Sequence, residues 1–117
     1  MAVASTRTTT IVYTGDVTGT ETISAAANAA SPGSVEIKSL ASGANTITVP
    51  TGGTTPTACV IVPPAGNVVT LTLKGVTGDT GVGLHLTDPT TVALAAATAT
   101  FVLTTGAIIT GVRLYWT

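Results

Sequence analysis

The feature that most constrains this chain is the alternation of apolar and polar residues with a period of two. Segments 45–49 (N-T-I-T-V) and 69–74 (V-T-L-T-L-K) would place apolar side chains on one face of an extended strand. Gly and Pro turn residues interrupt such segments every 8–12 residues or so. No segment offers the crossover helix of roughly a dozen residues that parallel strands require. The pattern predicts an all-β fold, an antiparallel, jelly-roll-like β-sandwich of about eight or nine short strands.

Two segments carry more specific expectations. The alternation in 35–38 predicts that Val35 and Ile37 point inward and that the charged residues between and after them point outward. Segment 58–62 (A-C-V-I-V) is apolar throughout, which is typical of a central strand covered on both faces. Ile23–Ala30 is rich in alanine and is either a short helix or a loop of small residues. The remaining predicted strands are 9–13, 83–87, 98–103 and 111–116.

Length and composition favour one domain that associates with other copies. The 117 residues form a single domain, 1–117, in which 1–8 is expected to be a flexible or partner-bound arm. Hydrophobic residues make up 44% of the chain, but the aromatic ones are only one Phe, two Tyr and one Trp. Because aromatic side chains bury the largest areas, the core is thin for this length. Burial of surface between subunits would compensate, so we expect a homo-oligomer.

The low charge narrows the class of partner. Charged residues are 8% of the chain and the formal net charge is −1, against roughly 25% charged residues in ordinary soluble domains. Thr occupies 27 of the 117 positions, so the polar surface is mainly hydroxyl. Without a basic patch we expect no nucleic-acid partner. No apolar run approaches the roughly 18 residues of a membrane span, and 1–10 does not have the pattern of a secretory signal.

The triplet Asp79-Thr80-Gly81 matches the signature of aspartic proteases, whose paired aspartates share a proton. That family has apolar residues directly before the aspartate, whereas Thr77-Gly78 stands there in this chain. A hairpin turn is the favoured interpretation, because Asp and Gly both suit turns.

Other single residues are weak candidates for chemistry. His85, the one histidine, is expected on a surface or interface, and Cys59, the one cysteine, is expected to be a buried hydrophobe. Asp16 and Asp79 lie in Gly-rich turns, yet calcium requires six to eight oxygen ligands. The threonine pairs 46/48, 70/72 and 98/100 resemble ice-binding ladders but lack a fixed repeat. We therefore expect no catalytic, cofactor or metal site, and no enzyme activity.

The C-terminal segment holds the candidate interface residues. Val112, Leu114 and Trp116 alternate with Arg113, Tyr115 and Thr117. The alternation predicts that Trp116 fixes the last strand to the core. Arg113 and Tyr115 then form an exposed pair of the kind that anchors interfaces. The interface candidates are Arg113, Tyr115 and Trp116.

Residues 44–117 resemble small structural proteins of tailed bacteriophages. The resemblance rests on A-N-T-I-T-V-P, V-I-V-P-P-A-G-N, T-L-T-L-K-G-V-T-G-D-T-G and the closing V-R-L-Y-W-T, within a Thr/Gly/Val-rich, charge-poor chain. It implies β-sandwich units that decorate capsids or build tail parts, commonly as trimers or higher rings. It implies no catalytic residues.

The sequence thus predicts a virion structural protein, either a capsid decoration (head-stabilising) protein or a minor tail component. It would be made in the host cytoplasm and would act by non-catalytic contacts with itself and other virion subunits, with a trimer favoured. The alternative is a receptor- or carbohydrate-binding module of a phage tail tip, since Tyr13, Tyr115 and Trp116 could stack on sugar rings.

Overall fold

A computed structural model describes residues 3–5, 8–13, 19–24, 28–31, 35–51, 55–74 and 80–117. Within these ranges the chain forms strands and no helix. In chain order the strands are β1 (Val3–Ser5), β2 (Thr8–Tyr13), β3 (Gly19–Ser24), β4 (Asn28–Ser31), β5 (Val35–Leu40), β6 (Gly43–Thr48), β7 (Ala58–Val62), β8 (Leu71–Lys74), β9 (Val82–Gly83), β10 (Thr90–Ala93), β11 (Thr100–Thr105) and β12 (Ile109–Trp116).

Strands β5 to β12 form two four-stranded antiparallel sheets. The first sheet has the order β10-β7-β12-β5 and the second β6-β11-β8-β9. The pairs β5–β12, β6–β11, β7–β10 and β8–β9 are nested, so the first of these eight strands meets the last and the middle two meet each other. This nesting is the winding of a jelly roll. The predicted antiparallel β-sandwich is confirmed.

The core lies between the two sheets. Trp116 from the first sheet and Phe101 from the second approach with ring centroids 6.1 Å apart, within the usual range for paired aromatic rings. Aliphatic side chains from both sheets surround them, and the buried cluster comprises Leu40, Ile47, Val49, Cys59, Ile61, Leu71, Phe101, Leu103, Ile109, Val112, Leu114 and Trp116.

A bulge in β12 lets the strand keep its apolar residues in this core. Ile109 pairs with Leu40 and Val112 with Lys38, so β12 has one more residue than β5 between these two pairs. Gly111 has a φ of +82° within the bulge, a conformation that glycine adopts without steric cost. As a result Ile109 and Val112 are both buried although their spacing is odd.

The N-terminal residues form two separate ribbons. β2 pairs with β3, and β1 pairs with β4. The strand predicted at 9–13 is confirmed, and the expected arm at 1–8 contains a strand paired within the chain. The helix considered for Ile23–Ala30 is wrong, because the described residues of this segment belong to β3 and β4.

The strand predicted at 83–87 is also wrong. β9 ends at Gly83, and 84–89 forms a loop held by side chains. The Asn67 amide nitrogen donates to the Leu86 carbonyl at 2.8 Å, and the backbone N–H of Asp88 donates to His85 Nδ1 at 2.9 Å. Such local bonds compete with ladder pairing. The next strand, β10, was not predicted.

The orientation predicted for 35–38 is reversed in the structure. Val35 and Ile37 point outward, with 46% and 73% of their surface exposed, whereas Glu36 and Lys38 are half-buried. The reason is the pairing with β12, which places Leu40 opposite Ile109 and Glu36 opposite Leu114. Leu40 has the same parity as the charged residues, so its burial turns them inward too.

Candidate interaction surface

The outer face of the first sheet carries two rows of mainly apolar side chains, with one arginine among them. Ile37, Arg113 and Val62 are neighbours across β5, β12 and β7, and form the first row. The next row contains Val35, Tyr115 and Val60. Side chains opposite each other on adjacent strands are about 4.5–5.5 Å apart at Cβ, so the rows are continuous. We call this surface, made of Val35, Ile37, Val60, Val62, Arg113 and Tyr115, the apolar face.

The apolar face is partly open to solvent. Ile37 is 73% exposed, and Val60 and Val62 on the central strand β7 are half-buried. The expectation that β7 is a central strand is confirmed, but its outward face is not fully covered. Arg113 lies between Val62 and Ile37, and Tyr115 lies between Val60 and Val35. The aliphatic side chains therefore flank the Arg113–Tyr115 pair on both sides, in a largely apolar patch.

Arg113 is the charged residue of this face, and it lies against Tyr115. Its guanidinium carbon is 6.0 Å from the centre of the tyrosine ring, and Nη1 donates to the tyrosine hydroxyl at 3.3 Å. This arrangement is a cation–π contact with a hydrogen bond at its edge. Arg113 is exposed and Tyr115 half-buried. The pair therefore presents a flat amphipathic surface within an otherwise apolar patch.

The outer face of the second sheet differs in chemistry. Thr48 pairs with Thr100, and Thr46 pairs with Val102, which in turn pairs with Lys74. Thr46, Thr48 and Thr100 are exposed. Of the threonine pairs in the sequence, 46/48 lies on this face, while Thr70 and Thr98 lie outside the strands. The sandwich thus has one apolar and one hydroxyl-bearing outer face.

Trp116 is part of the core. Its side chain is fully buried, and Nε1 donates to Glu36 Oε2 at 3.0 Å. The prediction that it fixes β12 to the core is confirmed. Of the three interface candidates, only Arg113 and Tyr115 reach the surface.

Cys59 is also fully buried, in β7 and opposite Trp116 on β12. Burial raises the pKa of its thiol to about 12, and the negative charge of Glu36 contributes in the same direction. The thiol is therefore protonated at neutral pH and is not a nucleophile. The prediction of a buried hydrophobe is confirmed.

His85 is exposed and forms part of a turn. Its Nδ1 accepts the backbone N–H groups of Asp88 at 2.9 Å and Thr87 at 3.2 Å, and Asp88 Oδ1 lies 3.7 Å away. The surface position predicted for His85 is confirmed. Its ring stabilises the turn by accepting these backbone hydrogen bonds.

Two of the remaining sequence candidates, Asp16 and Asp79, lie outside the described residues. The calcium hypothesis rests on these two residues, and of the protease-like triplet the structure describes only Thr80 and Gly81. Among the described side chains, no three His, Cys, Asp or Glu residues are close enough to hold a metal ion. A search of the same part of the chain for a long apolar helix that could cross a membrane found none.

The outward orientation of Val35 and Ile37 was missed because segment 35–38 alternates cleanly. Either phase of the alternation is compatible with a period of two. One signal pointed to the observed phase. Leu40, an apolar residue as large as Ile37, has the same parity as Glu36 and Lys38. Extending the pattern from 38 to 40 would have placed Val35 and Ile37 outside, next to Arg113 and Tyr115.

Comparison of the chain with protein-family models, with curated proteins and with solved structures found no match.

Proposed function

We propose that this protein is a structural component of a virion, either a capsid decoration (head-stabilising) protein or a minor tail component. It acts as a homo-oligomer, with a trimer favoured, through non-catalytic contacts with itself and neighbouring subunits. The observation that carries the proposal is the apolar face with Ile37 73% exposed at its edge.

An isoleucine exposed on a sheet face is unfavourable in water. Burying such a side chain contributes roughly 1.5–3 kcal/mol, and a contiguous apolar patch on a small domain is a common mark of a contact site. The two outer faces of the sandwich differ, one apolar and one rich in threonine hydroxyls. A unit that packs on one side and meets solvent on the other has this distribution.

Low charge and the fold also support assembly. With 8% charged residues and a net charge of −1, little electrostatic repulsion separates copies of the chain. Jelly rolls form many viral capsid and lectin domains, although a fold alone does not determine function. The resemblance of 44–117 to phage structural proteins supports the capsid or tail assignment.

The first test is the absolute mass in solution, by light scattering behind size exclusion over a range of concentrations. We expect a trimer or larger ring for the wild type and a smaller species for Ile37→Glu, with unchanged circular dichroism. Val68→Glu is the matched control, because Val68 is 83% exposed but lies in the loop before β8 and is not one of the residues of the apolar face. A wild-type monomer, or equal effects of the two variants, would contradict assembly through this face.

The virion assignment needs a separate experiment. Particles from lysates of cells that carry the gene are banded in a density gradient, and each fraction is probed for the chain. We expect the chain in the particle band. An oligomer that stays at the top of the gradient would reject the virion role and leave the self-association intact.

The second candidate is a receptor- or carbohydrate-binding module of a tail tip, and the Arg113–Tyr115 pair is the observation that favours it. Sugars stack on exposed aromatic rings, but Tyr115 is half-buried. Binding on a glycan array that is lost in Tyr115→Ala and retained in Val68→Glu would favour this candidate. No binding above background would leave the assembly proposal as the better one.

A further inference from the structure

A cleft of about 440 Å³ opens at the edge of the sandwich, away from the rows of the apolar face. It is bounded by the end of β8, by β9, by β10 with the residues that follow it, and by the start of β11. β10 is one edge strand of the first sheet and β9 is one edge strand of the second. The volume lies within the roughly 300–1,000 Å³ typical of small-molecule sites.

The inner surface of the cleft is apolar and continuous with the core. Phe101 is 7% exposed and belongs to the core cluster, and Leu73, Val92 and Leu94 pack against that cluster. Val82 contributes a further side chain, 63% exposed. An apolar guest would contact these side chains and displace water from them, which is favourable.

Polar residues also line the cleft, and one of them is positively charged. They are Thr98, Thr100 and Lys74. Lys74 is half-buried, and no acidic group in the described part of the chain lies within ion-pair distance of it. A cation beside an apolar cleft favours a guest with an anionic end.

We propose that this cleft binds a small amphiphilic anion, a medium-chain alkyl carboxylate. The alkyl chain lies along Leu73, Val92, Leu94 and Phe101, and the carboxylate pairs with Lys74. This site is separate from the apolar face, so it does not depend on the proposed assembly role.

The test is an NMR titration of the full chain with decanoate below its micelle concentration, following methyl and amide resonances. We expect saturable shifts at Val82, Val92 and Leu94 and none at Val35 or Ile37. Decanol is the neutral probe of the same length. Shifts without saturation, or shifts spread over both regions, would overturn the proposal.

Two variants separate the contributions of charge and shape. Lys74→Gln should weaken decanoate binding about fivefold and leave decanol binding unchanged, as expected for a partly exposed ion pair. Lys38→Gln is the matched control, because it removes the same charge from β5, and it should bind decanoate as the wild type does.

Ala95→Trp places a large side chain in the cleft from an exposed lining position and should abolish binding of both probes. Equal effects of the two lysine variants would reject charge recognition by Lys74, and undiminished binding in Ala95→Trp would reject the cleft.

Discussion

The indole Nε1 of Trp116 donates a hydrogen bond of 3.0 Å to Oε2 of Glu36, 80 residues earlier in the chain. Trp116 ends β12 and Glu36 lies in β5, the adjacent strand of the first sheet. The bond satisfies the polar atom of a fully buried indole and gives the inward-facing glutamate a partner. It also explains why Ile37, the next residue of β5, faces outward, since successive side chains of a strand point to opposite faces.

Removing the acceptor of this bond should destabilise the fold. Glu36→Ala removes the carboxylate that accepts from the buried indole N–H, and we expect the free energy of unfolding to fall by about 1–3 kcal/mol. Urea denaturation followed by the fluorescence of Trp116, the single tryptophan, measures this. Glu36→Gln is the control, because it keeps an acceptor of the same shape and should cost clearly less. Equal losses in the two variants would show that the bond contributes nothing specific.

The buried thiol of Cys59 predicts a loss of stability at alkaline pH. Its pKa is raised from 9.0 to about 12 in the folded protein, so between these values the unfolded chain releases a proton that the folded chain keeps. The contribution of this thiol to the free energy of unfolding is therefore fully present below pH 9. It falls as pH rises toward 12, by up to about 1.4 kcal/mol per pH unit.

The comparison for this prediction is Cys59→Ala, which has no thiol. Unfolding measured from pH 8 to 11 should show a steeper decline for the wild type than for the variant, because the lysines and tyrosines are common to both. Parallel curves would argue against a raised thiol pKa.

Two adjacent threonines of β11 should respond in opposite directions. Oγ1 of Thr104 is buried without a hydrogen-bond partner in the described part of the chain, whereas Oγ1 of Thr105 donates to the Ala41 carbonyl at 2.7 Å. Thr104→Val should raise the melting temperature, with a gain of about 1 kcal/mol, because it removes an unpaired hydroxyl. Thr105→Val should lower the melting temperature, with a loss of stability of similar size. The same direction of change in both variants would contradict this account.

Gly81 should tolerate no side chain. Its φ is +75°, and an added Cβ would overlap the Leu73 carbonyl oxygen and lie 2.8 Å from Lys74 Cγ. We expect Gly81→Ala to cost at least about 2 kcal/mol in thermal or urea unfolding, from backbone strain and overlap together. Gly83→Ala adds the same methyl group where nothing lies within 4 Å, and it should cost less than about 1 kcal/mol. Similar costs at the two positions would show that the overlap is relieved by local movement.

The His85 ring should hold one tautomer. Since Nδ1 accepts two backbone N–H groups, the neutral ring carries its proton on Nε2. Nitrogen-15 NMR of the imidazole should show this form. His85→Asn keeps a side-chain acceptor and should preserve the amide shifts of 86–88, whereas His85→Ala should change them and cost about 0.5–1 kcal/mol. A proton on Nδ1 in the neutral ring would contradict this geometry.

Most of the strands were predictable from period and turn residues alone. The segments around Ile47, Leu71, Phe101 and Leu114 alternate strongly, and each lies in a strand with its apolar residues buried. The antiparallel sandwich followed from short strands without crossover helices. The burial of Cys59 and Trp116 was also predictable, because each belongs to a strongly apolar pattern.

The candidate surface was only partly predictable. Arg113 and Tyr115 were identified from the alternation of the last strand with Val112, Leu114 and Trp116. The structure buries these three residues, which places Arg113 and Tyr115 on the outer face. Their apolar neighbours on β5 and β7 were not identified, because residues far apart in the chain become neighbours only through strand pairing. The cleft beside β9 and β10 was not predictable either, since it depends on where two sheets end.

The sequence by itself determined the local periodicity, and hence that the chain would form short strands with alternating faces. Tertiary structure decided which face of β5 is outside, because its pairing with β12 places Leu40 opposite Ile109 and so directs Glu36 toward Trp116. A period of two is satisfied equally by both phases, and one residue of register reverses every side chain. Burial in the common core selects between the phases, and that choice left Ile37 on the surface.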